Sequence, residues 1–170
     1  YYFDPADNFL KGRYLDGNFS KEKFDPTAVH HHSKGYYVEG NGWHYAFYVP
    51  QDVNTHIEMM GGDEAYTNKL DEMFSGANLG DVANGVLDVT GSIGQYTHGN
   101  EPSHQVPYLY AYAGQPWKTQ MRVKQIIDEM YDDTREGLCG NEDCGQMSAW
   151  YILSTMGFYQ VAPASNVYVL

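Results

Sequence analysis

The chain has 170 residues, enough for one domain that buries roughly two thirds of its unfolded surface on folding. Its 22 acidic and 10 basic residues give a formal net charge of −12, which disfavours nucleic acids and anionic membranes as partners. No apolar run approaches the roughly 20 residues that a membrane-spanning helix needs. Cations and neutral ligands are therefore the expected partners.

Both ends of the sequence indicate a piece of a longer protein. The chain starts at Tyr1 without an initiator methionine or a basic and apolar leader, and it ends in "SNVYVL", which has the alternation of a strand. The 16 Tyr, three Trp and 18 Gly suit a groove that stacks on flat, uncharged ligands such as sugar rings. The alternative is that most of the tyrosines fill half-wet core positions.

Residues 1–36 are predicted to be a loop-like segment that wraps a surface, because FDP occurs twice with "DGNF" between. The consecutive His30, His31 and His32 point in different directions on any regular backbone, which favours a solvated loop over a metal site.

Two helices are predicted next. The first begins after Asp52 as N-cap and stops at Gly61 and Gly62. The second covers "DEAYTNKLDEMFSG", with Asp63 as cap, Gly76 as stop and a buried stripe of Tyr66, Leu70, Met73 and Phe74. Together they predict an antiparallel helical hairpin, and residues 77–100 are predicted to return as a glycine-rich loop.

Three further helices follow. Pro102 opens "PSHQVPYLYAYAG", and Pro116 opens "PWKTQMRVKQIIDEMYDD". Gln146 opens "QMSAWYILSTMG", which is apolar nearly all round and is expected to be central. The last residues, "FYQVAPASNVYVL", predict a turn and a strand. The face of the Pro116 helix predicted to be buried consists of Trp117, Met121, Ile127, Met130 and Tyr131.

The acids of the chain lie in the long loops between these helices. The stretches EGN, HGNE and GNED are expected at the same end of successive helix pairs, an arrangement typical of a helical toroid with its site at one rim. The predicted fold is mainly α: a partial six-hairpin (α/α) toroid with a loop-rich N-terminal segment and a short C-terminal strand.

The loop "EGNGWHY" contains Glu39. A carboxyl group beside Trp43 and Tyr45 would be partly desolvated, which raises its pKa toward that of a general acid. The alternative is an ordinary exposed glutamate before a helix.

The loop "THGNEPSH" offers His98, Asn100, Glu101 and His104. The oxygen donors Asn100 and Glu101 suit a hard cation such as Ca²⁺, which takes six to eight oxygens in irregular loops. The alternative is a cluster that caps a helix N-terminus.

The loop "CGNEDCGQ" places Asn141, Glu142 and Asp143 before an apolar helix. Adjacent acids repel, so at least one is expected to be engaged by a cation, an arginine or a helix N-terminus. A plain acidic N-cap is again the alternative. Cys139 and Cys144 could form a small disulfide or remain two thiols beside a site, and the sequence leaves both open.

Three blocks of the chain, "YVEGNGWHYAFYVPQDV", "TGSIGQYTHGNEPSHQVPYLYAYAGQPWKTQ" and "GLCGNEDCGQMSAWYILSTMGFYQVAP", resemble glycoside hydrolase family 92, the calcium-dependent exo-acting α-mannosidases. The resemblance runs nearly end to end. It implies an N-terminal β-sandwich and a C-terminal (α/α) toroid, of which residues 1–170 would be a single partial catalytic domain. The sandwich and the rest of the toroid would lie outside this chain.

The resemblance also implies site residues. Glu39 corresponds to the general acid and Asp143 to the general base of an inverting reaction, whose carboxyl groups stand about 6.5–9.5 Å apart. Asn100 and Glu101 correspond to ligands of a Ca²⁺ that binds the mannose 2- and 3-hydroxyls and helps to flatten the ring. The residues expected to bind substrate are Trp43, His44, His98 and His104.

The chain departs from the family pattern at three positions: His44 replaces a common Gln, Gln105 a second His, and Asn141 an Asp that assists the base. The amide of Asn141 can orient water but cannot share a proton. The leading hypothesis is hydrolysis of terminal α-linked mannose from a glycan, either an N-glycan or a mannan. The alternative is a catalytically impaired, carbohydrate-binding toroid segment.

A purely structural helical repeat does not explain why the acids lie in glycine loops. The substrate class implies a secreted, periplasmic or cell-surface protein. The fragment alone is expected to be inactive and to expose apolar helix faces.

Overall fold

The computed structural model describes residues 2–21, 23–29, 36–79, 86 and 89–170. Helices dominate it, and the strands are two residues long. The run His30–His32 lies outside the described residues. The α-helices are α1 Gly42–Ala46, α2 Val53–Met59, α3 Asp63–Ser75, α4 Leu109–Tyr112, α5 Pro116–Met130 and α6 Gln146–Thr155; the strands are β1 Phe3–Asp4, β2 Phe9–Leu10, β3 Ser92–Ile93 and β4 Tyr96–Thr97.

The N-terminal segment is mostly irregular, as predicted, but it contains the antiparallel hairpin β1–β2. The ring of Phe9 is buried and lies edge-on to Trp43, with 5.0 Å between the ring centroids. Lys69 lies over the Phe9 ring at 3.7 Å from its centroid. Strands this short leave no period-two pattern in the sequence, because alternation needs about four residues to be recognised.

Helices α2 and α3 form close to where the sequence predicts them. The Asp52 carboxylate caps α2 by accepting from the Thr55 N–H at 3.1 Å. Helix α3 ends before Gly76, but Gly62 and not Asp63 occupies its N-cap. The stripe Tyr66, Leu70, Met73 and Phe74 is buried as predicted. His56 of α2 packs edge-on against Tyr66, with 5.3 Å between the ring centroids. The antiparallel arrangement of the two helices stays a prediction.

Two predicted elements take a different form. The segment after α3 is not only loop, because Ser92–Ile93 and Tyr96–Thr97 pair as an antiparallel hairpin. The helix predicted from Pro102 is broken into two 3-10 turns, Glu101–Ser103 and Val106–Tyr108, before the short α4. The break has a local cause, since Pro107 has no N–H to donate to the preceding turn and its ring crowds the carbonyl there.

Helix α5 has the predicted start, but only part of the face that was predicted to be buried turns inward. Thr119, Ile126 and Met130 are buried, whereas Trp117 is 60% and Met121 51% exposed. At 100° per residue, Trp117 and Met121 lie on the side of the helix opposite to Ile126. The prediction is confirmed for Met130 and wrong for Trp117 and Met121, because hydrophobicity alone does not tell which apolar side chains have a packing partner.

Helix α6 was expected to be central, and this is also wrong for the described structure. Met147 and Trp150 are buried, but Ile152 is 54% and Met156 64% exposed. The predicted C-terminal strand is reduced to one bridge between Tyr159 and Val169. Exposed apolar faces on helices were expected, and the structure confirms them. None of the described helices combines the length and the apolar character needed to cross a membrane.

The corrected orientation of α5 predicts opposite outcomes for two substitutions. Ile126→Ala removes a fully buried side chain and should lower the free energy of unfolding by about 2–5 kcal/mol. Met121→Ala should change it by no more than about 0.5 kcal/mol, because this side chain is half exposed. Urea unfolding of the 170-residue chain measures both, and a larger loss for Met121→Ala would reverse the assignment of faces.

Candidate active site

Three loops from distant parts of the chain meet at one cavity of about 360 Å³. Its walls include Glu39 from the first loop, Asn100 and Glu101 from the second, and Asp143 from the third. Gly99 and Cys144 complete the lining. The volume lies within the usual range of small-ligand sites, about 300–1,000 Å³. The structure thus brings together the four acid and amide side chains that the sequence singled out in separate motifs.

The loop of Glu39 is held on both sides of the acid. Glu39 itself has a φ of +55°, in the left-handed region that residues other than glycine rarely adopt. Before it, the carbonyl of Val38 accepts a hydrogen bond from the Tyr45 hydroxyl at 2.6 Å. After it, the Asn41 side chain caps α1 at the His44 N–H and donates to Gln95 Oε1 at 2.8 Å.

Asn100 connects the second loop directly to the first. Its Nδ2 donates to the main-chain carbonyl of Glu39 at 3.2 Å, so the opposite atom of the amide, Oδ1, remains an acceptor. Asn100 is 7% exposed, whereas Glu101 is exposed. This hydrogen bond fixes the position of the HGNE loop relative to Glu39, the general acid proposed from the sequence.

Asp143 begins a run of three residues with positive φ: +50° at Asp143, +56° at Cys144 and +94° at Gly145. A non-glycine residue held in this region costs on the order of 1–3 kcal/mol, and such strain clusters at functional sites. The carboxylate of the neighbouring Glu142 is directed at Ser148 and not at the cavity. It accepts hydrogen bonds from the Ser148 N–H at 3.0 Å and from the Ser148 hydroxyl at 2.8 Å. One of the adjacent acids is therefore engaged by a helix N-terminus, as the sequence predicted.

Two glycines let the loops approach each other closely. A Cβ added at Gly99 would lie 1.9 Å from Thr90 Oγ1, and one at Gly140 would lie 2.4 Å from the same atom. Both distances are far below the closest approach of two non-bonded atoms. Residues 99 and 140 must lack side chains if the HGNE and GNED loops are to pack on either side of Thr90.

The histidines expected to bind substrate lie behind the cavity and are not part of its lining. His98 and His104 are almost completely buried, with their rings 4.9 Å apart. Burial lowers the pKa of His98 to about 2. Burial also lowers the pKa of His104, and the backbone hydrogen bond to His98 and the charge of Asp143 oppose that shift. Both rings are thus neutral at physiological pH, and their contact with substrate stays a prediction.

His44 and Trp43 are also buried. His44 is fully buried, which lowers its pKa to about 4, and its ring nitrogens have no hydrogen-bond partner among the described residues. Trp43 is 6% exposed and packs in the core against Phe9. Neither residue belongs to the cavity lining. Asn141 is exposed, two positions before Asp143, and it too is outside the lining.

The donor set of the cavity determines which metal it fits. Among the described residues, no three His, Cys, Asp or Glu side chains converge where they could hold an ion. A zinc-type site is therefore not supported in this part of the chain. The amide oxygen of Asn100 and the carboxylate of Glu101 are hard donors, and these fit Ca²⁺, which completes its shell with carbonyl, water or substrate oxygens.

The two cysteines are free thiols. Cys144 is exposed and lines the cavity, whereas Cys139 is partly buried, and burial raises its pKa to about 11. The sequence left open whether Cys144 forms a disulfide or lies as a thiol beside a site. In the structure it is a thiol that lines the cavity. Gln146 was recognised only as the start of a helix, although its amide bonds to His104 at 2.9 Å.

Other cavities differ in chemistry. A cavity of about 750 Å³ lies beside Asp132–Leu138, and none of the four acid and amide residues lines it. Another, of about 270 Å³, has walls that include Tyr2, Tyr36, Tyr37 and Tyr45. These tyrosines do not line the cavity of Glu39 and Asp143, and a groove whose aromatic rings stack on a sugar stays a prediction.

Two solved structures are similar to this chain along nearly its whole length. A family GH92 α-mannosidase from Bacteroides thetaiotaomicron, in complex with mannoimidazole, is 40% identical with a TM-score of 0.87, covering 98% of this chain and 22% of that one. A family GH92 inverting mannosidase from the same organism is 38% identical with a TM-score of 0.74, covering 95% of this chain and 22% of that one.

An uncharacterized secreted glycosidase from Arthroderma benhamiae is 30% identical over 132 residues, which are 78% of this chain and 15% of that protein. The chain therefore spans less than a quarter of the length of these relatives. Residues 1–170 match the glycosyl hydrolase family 92 catalytic domain along their whole length. The resemblance noted in the sequence is thereby confirmed, and the chain belongs to glycosyl hydrolase family 92 as a part of its catalytic domain.

Proposed function

We propose that this chain supplies the general acid and the general base of an inverting hydrolase that removes terminal α-linked mannose from glycans. The observation that carries the proposal is the shared cavity of Glu39 and Asp143. Two relatives of known structure are mannosidases, and one of them is described as inverting. The mainly helical fold supports a place for this chain within an (α/α) toroid whose remainder lies in other parts of the protein.

In the proposed mechanism, Glu39 protonates the departing glycosidic oxygen and Asp143 takes a proton from the attacking water. Inversion requires that water to fit between Asp143 and the anomeric carbon, which is why inverting carboxyl groups stand about 6.5–9.5 Å apart. The left-handed turns at both residues lift each carboxyl group out of the regular backbone and toward the cavity. Asn141 is proposed to orient the water through its amide.

We propose Ca²⁺ as the cofactor, held in part by Asn100 and Glu101. When bound, it would bind the mannose 2- and 3-hydroxyls and favour the flattened ring of the oxocarbenium-like transition state. The protein's own contribution is to hold Asn100 against Glu39 through the hydrogen bond to the Glu39 carbonyl. The position of the amide oxygen is therefore coupled to the position of the proposed acid.

A carbohydrate-binding role without turnover is the second candidate. It is favoured by the exposed Asn141, since an amide cannot take up a proton as the aspartate usual at this position could. The retained Glu39 and Asp143 favour hydrolysis. Secretion is the proposed location, supported by the description of one relative as a secreted glycosidase.

If Glu39 is the acid and Asp143 the base, the loss of kcat on replacing each should depend on the leaving group in a different way. The test uses the full-length protein. Asp143→Asn should lower kcat by about 10²–10⁴-fold on every α-mannoside, because the base acts on water in each case. Glu39→Gln should lose as much on an α-mannobioside but far less on a dinitrophenyl α-mannoside, whose leaving group needs no proton. The exposed Glu58→Gln is the matched control. Equal losses on both substrates for Glu39→Gln would remove its role as the acid, and an inactive wild type would favour the binding role.

Calcium binding predicts a stability change as well as an activity change. Addition of Ca²⁺ to chelator-treated protein at about 100 times its Kd should stabilise the fold by about 2.7 kcal/mol, since the ion binds the folded state alone. Glu101→Gln should reduce both this stabilisation and the recovery of aryl α-mannosidase activity. Thermal melts and rate assays before and after chelation measure the two effects. A calcium role would be excluded if the chelator changed neither the activity nor the melting temperature.

A further inference from the structure

We propose that Gln146 is a positioning residue for the general base: by donating to His104 it locks the left-handed turn that presents Asp143. This inference rests on the proposed function, since it assigns Asp143 the role of base. It concerns a residue that lies outside the cavity lining and acts through its neighbours. The turn of Asp143, Cys144 and Gly145 has a conformation that needs an external hold, because two of its three residues carry side chains at positive φ.

Gln146 makes two hydrogen bonds that bear on this turn, one within the turn and one to a different loop. Its main-chain N–H donates to the carbonyl of Asp143 at 3.2 Å, which closes the turn. Its side-chain Nε2 donates to His104 Nδ1 at 2.9 Å and makes a longer contact of 3.4 Å with the Tyr159 hydroxyl. The other bonds of the turn are local, from Met147 N–H to the Glu142 carbonyl at 3.3 Å and from Ser148 to the Glu142 carboxylate. The bond to His104 links the turn to a different loop.

His104 is a fixed anchor with a defined tautomer. Its Nε2 lies 2.9 Å from the carbonyl of His98, which can only accept, so Nε2 carries the proton and Nδ1 is an acceptor. Its own carbonyl accepts from the indole N–H of Trp150 at 3.0 Å. The ring is buried and lies tilted against that of His98, with 4.9 Å between the ring centroids. Only a side chain that donates can bond to such a nitrogen, and the amide of Gln146 supplies that donor.

A second chain of hydrogen bonds runs through the ring of His98, the residue whose main-chain carbonyl accepts from His104. The Tyr131 hydroxyl donates to the carbonyl of Met147 at 3.1 Å, so it accepts from His98 Nε2 at 2.6 Å. His98 Nδ1 then accepts from the Tyr96 hydroxyl at 2.8 Å. The chain therefore joins the hairpin strand β4, the HGNE loop and the start of α6. Gln146 is connected to His98 through His104, and it is the residue of this network that bonds to Asp143.

The decisive variant is Gln146→Glu in the full-length protein, because it keeps the shape of the side chain and removes the donor. We expect kcat for an aryl α-mannoside to fall at least tenfold while KM stays within twofold, since the cavity lining is unchanged. Gln146→Ala should give the same split. Gln120→Glu on the exposed side of α5 makes the same change of charge away from the turn and should leave both constants unchanged.

Hydrogen exchange gives a readout that does not need activity. In Gln146→Glu, the amides of Gln146 and Met147 should exchange at least tenfold faster, while those of α3 and α5 keep their wild-type rates. Faster exchange throughout the chain would show a general structural role and overturn the proposal, as would a kcat within twofold of wild type. If the wild-type protein hydrolyses no mannoside, the proposed function fails. Exchange then decides alone whether Gln146 locks the turn, and unchanged exchange there would overturn that as well.

Discussion

The candidate site depends on how closely three stretches of backbone approach each other around Thr90. Gly99 and Gly140 flank its hydroxyl at distances that exclude any side chain on either residue. The main chain completes the junction, with the Gly99 N–H donating to the Thr90 carbonyl at 3.0 Å. Because the HGNE and GNED loops are held together at this point, Asn100 and Asp143 can face the same cavity. The close approach at Thr90 and the side-chain bond from Gln146 to His104 together set the distance between the loops.

Neutral histidines fill the space beneath that junction. His98 and His104 carry no charge near neutral pH because burial penalises the imidazolium form. Each can therefore act as both donor and acceptor, and both use that capacity in hydrogen bonds to the surrounding loops. A charged ring there would compete with a cation for the cavity's oxygens. The charge of the cavity is thus left to its carboxylates, which suits Ca²⁺ and neutral sugars.

Sequence patterns predicted the elements whose cause is local. Asp52 caps its helix, Gly76 stops the next one, and the Tyr66–Leu70 stripe is buried, since each follows from neighbours a few residues away. The inward face of α5 and the surface position of α6 could not be read from hydrophobicity, because that choice is made by partners distant in sequence. The hairpin at Ser92–Thr97 is too short to leave a period.

The residues of the candidate site also fall into those that the sequence predicts and those that it does not. Glu39, Asn100, Glu101 and Asp143 were singled out by chemistry in separate motifs, and the structure places them at one cavity. The burial of His44 and the anchoring of Gln146 depend on packing that no motif records. The acid, base and metal-ligand roles proposed from the family fall on residues that line one cavity, whereas the histidines are buried outside its lining and their contact with substrate stays a prediction.

The contact at Thr90 also limits how this sequence can change over evolutionary time. A side chain at position 99 or 140 would occupy the space of the Thr90 hydroxyl, so replacing either glycine requires the Thr90 side chain to move or to become smaller. Positions 90, 99 and 140 are therefore expected to vary as a group among homologues, although they lie in different motifs. Such covariation would mark the shared junction of the loops even in relatives whose catalytic carboxylates have been lost.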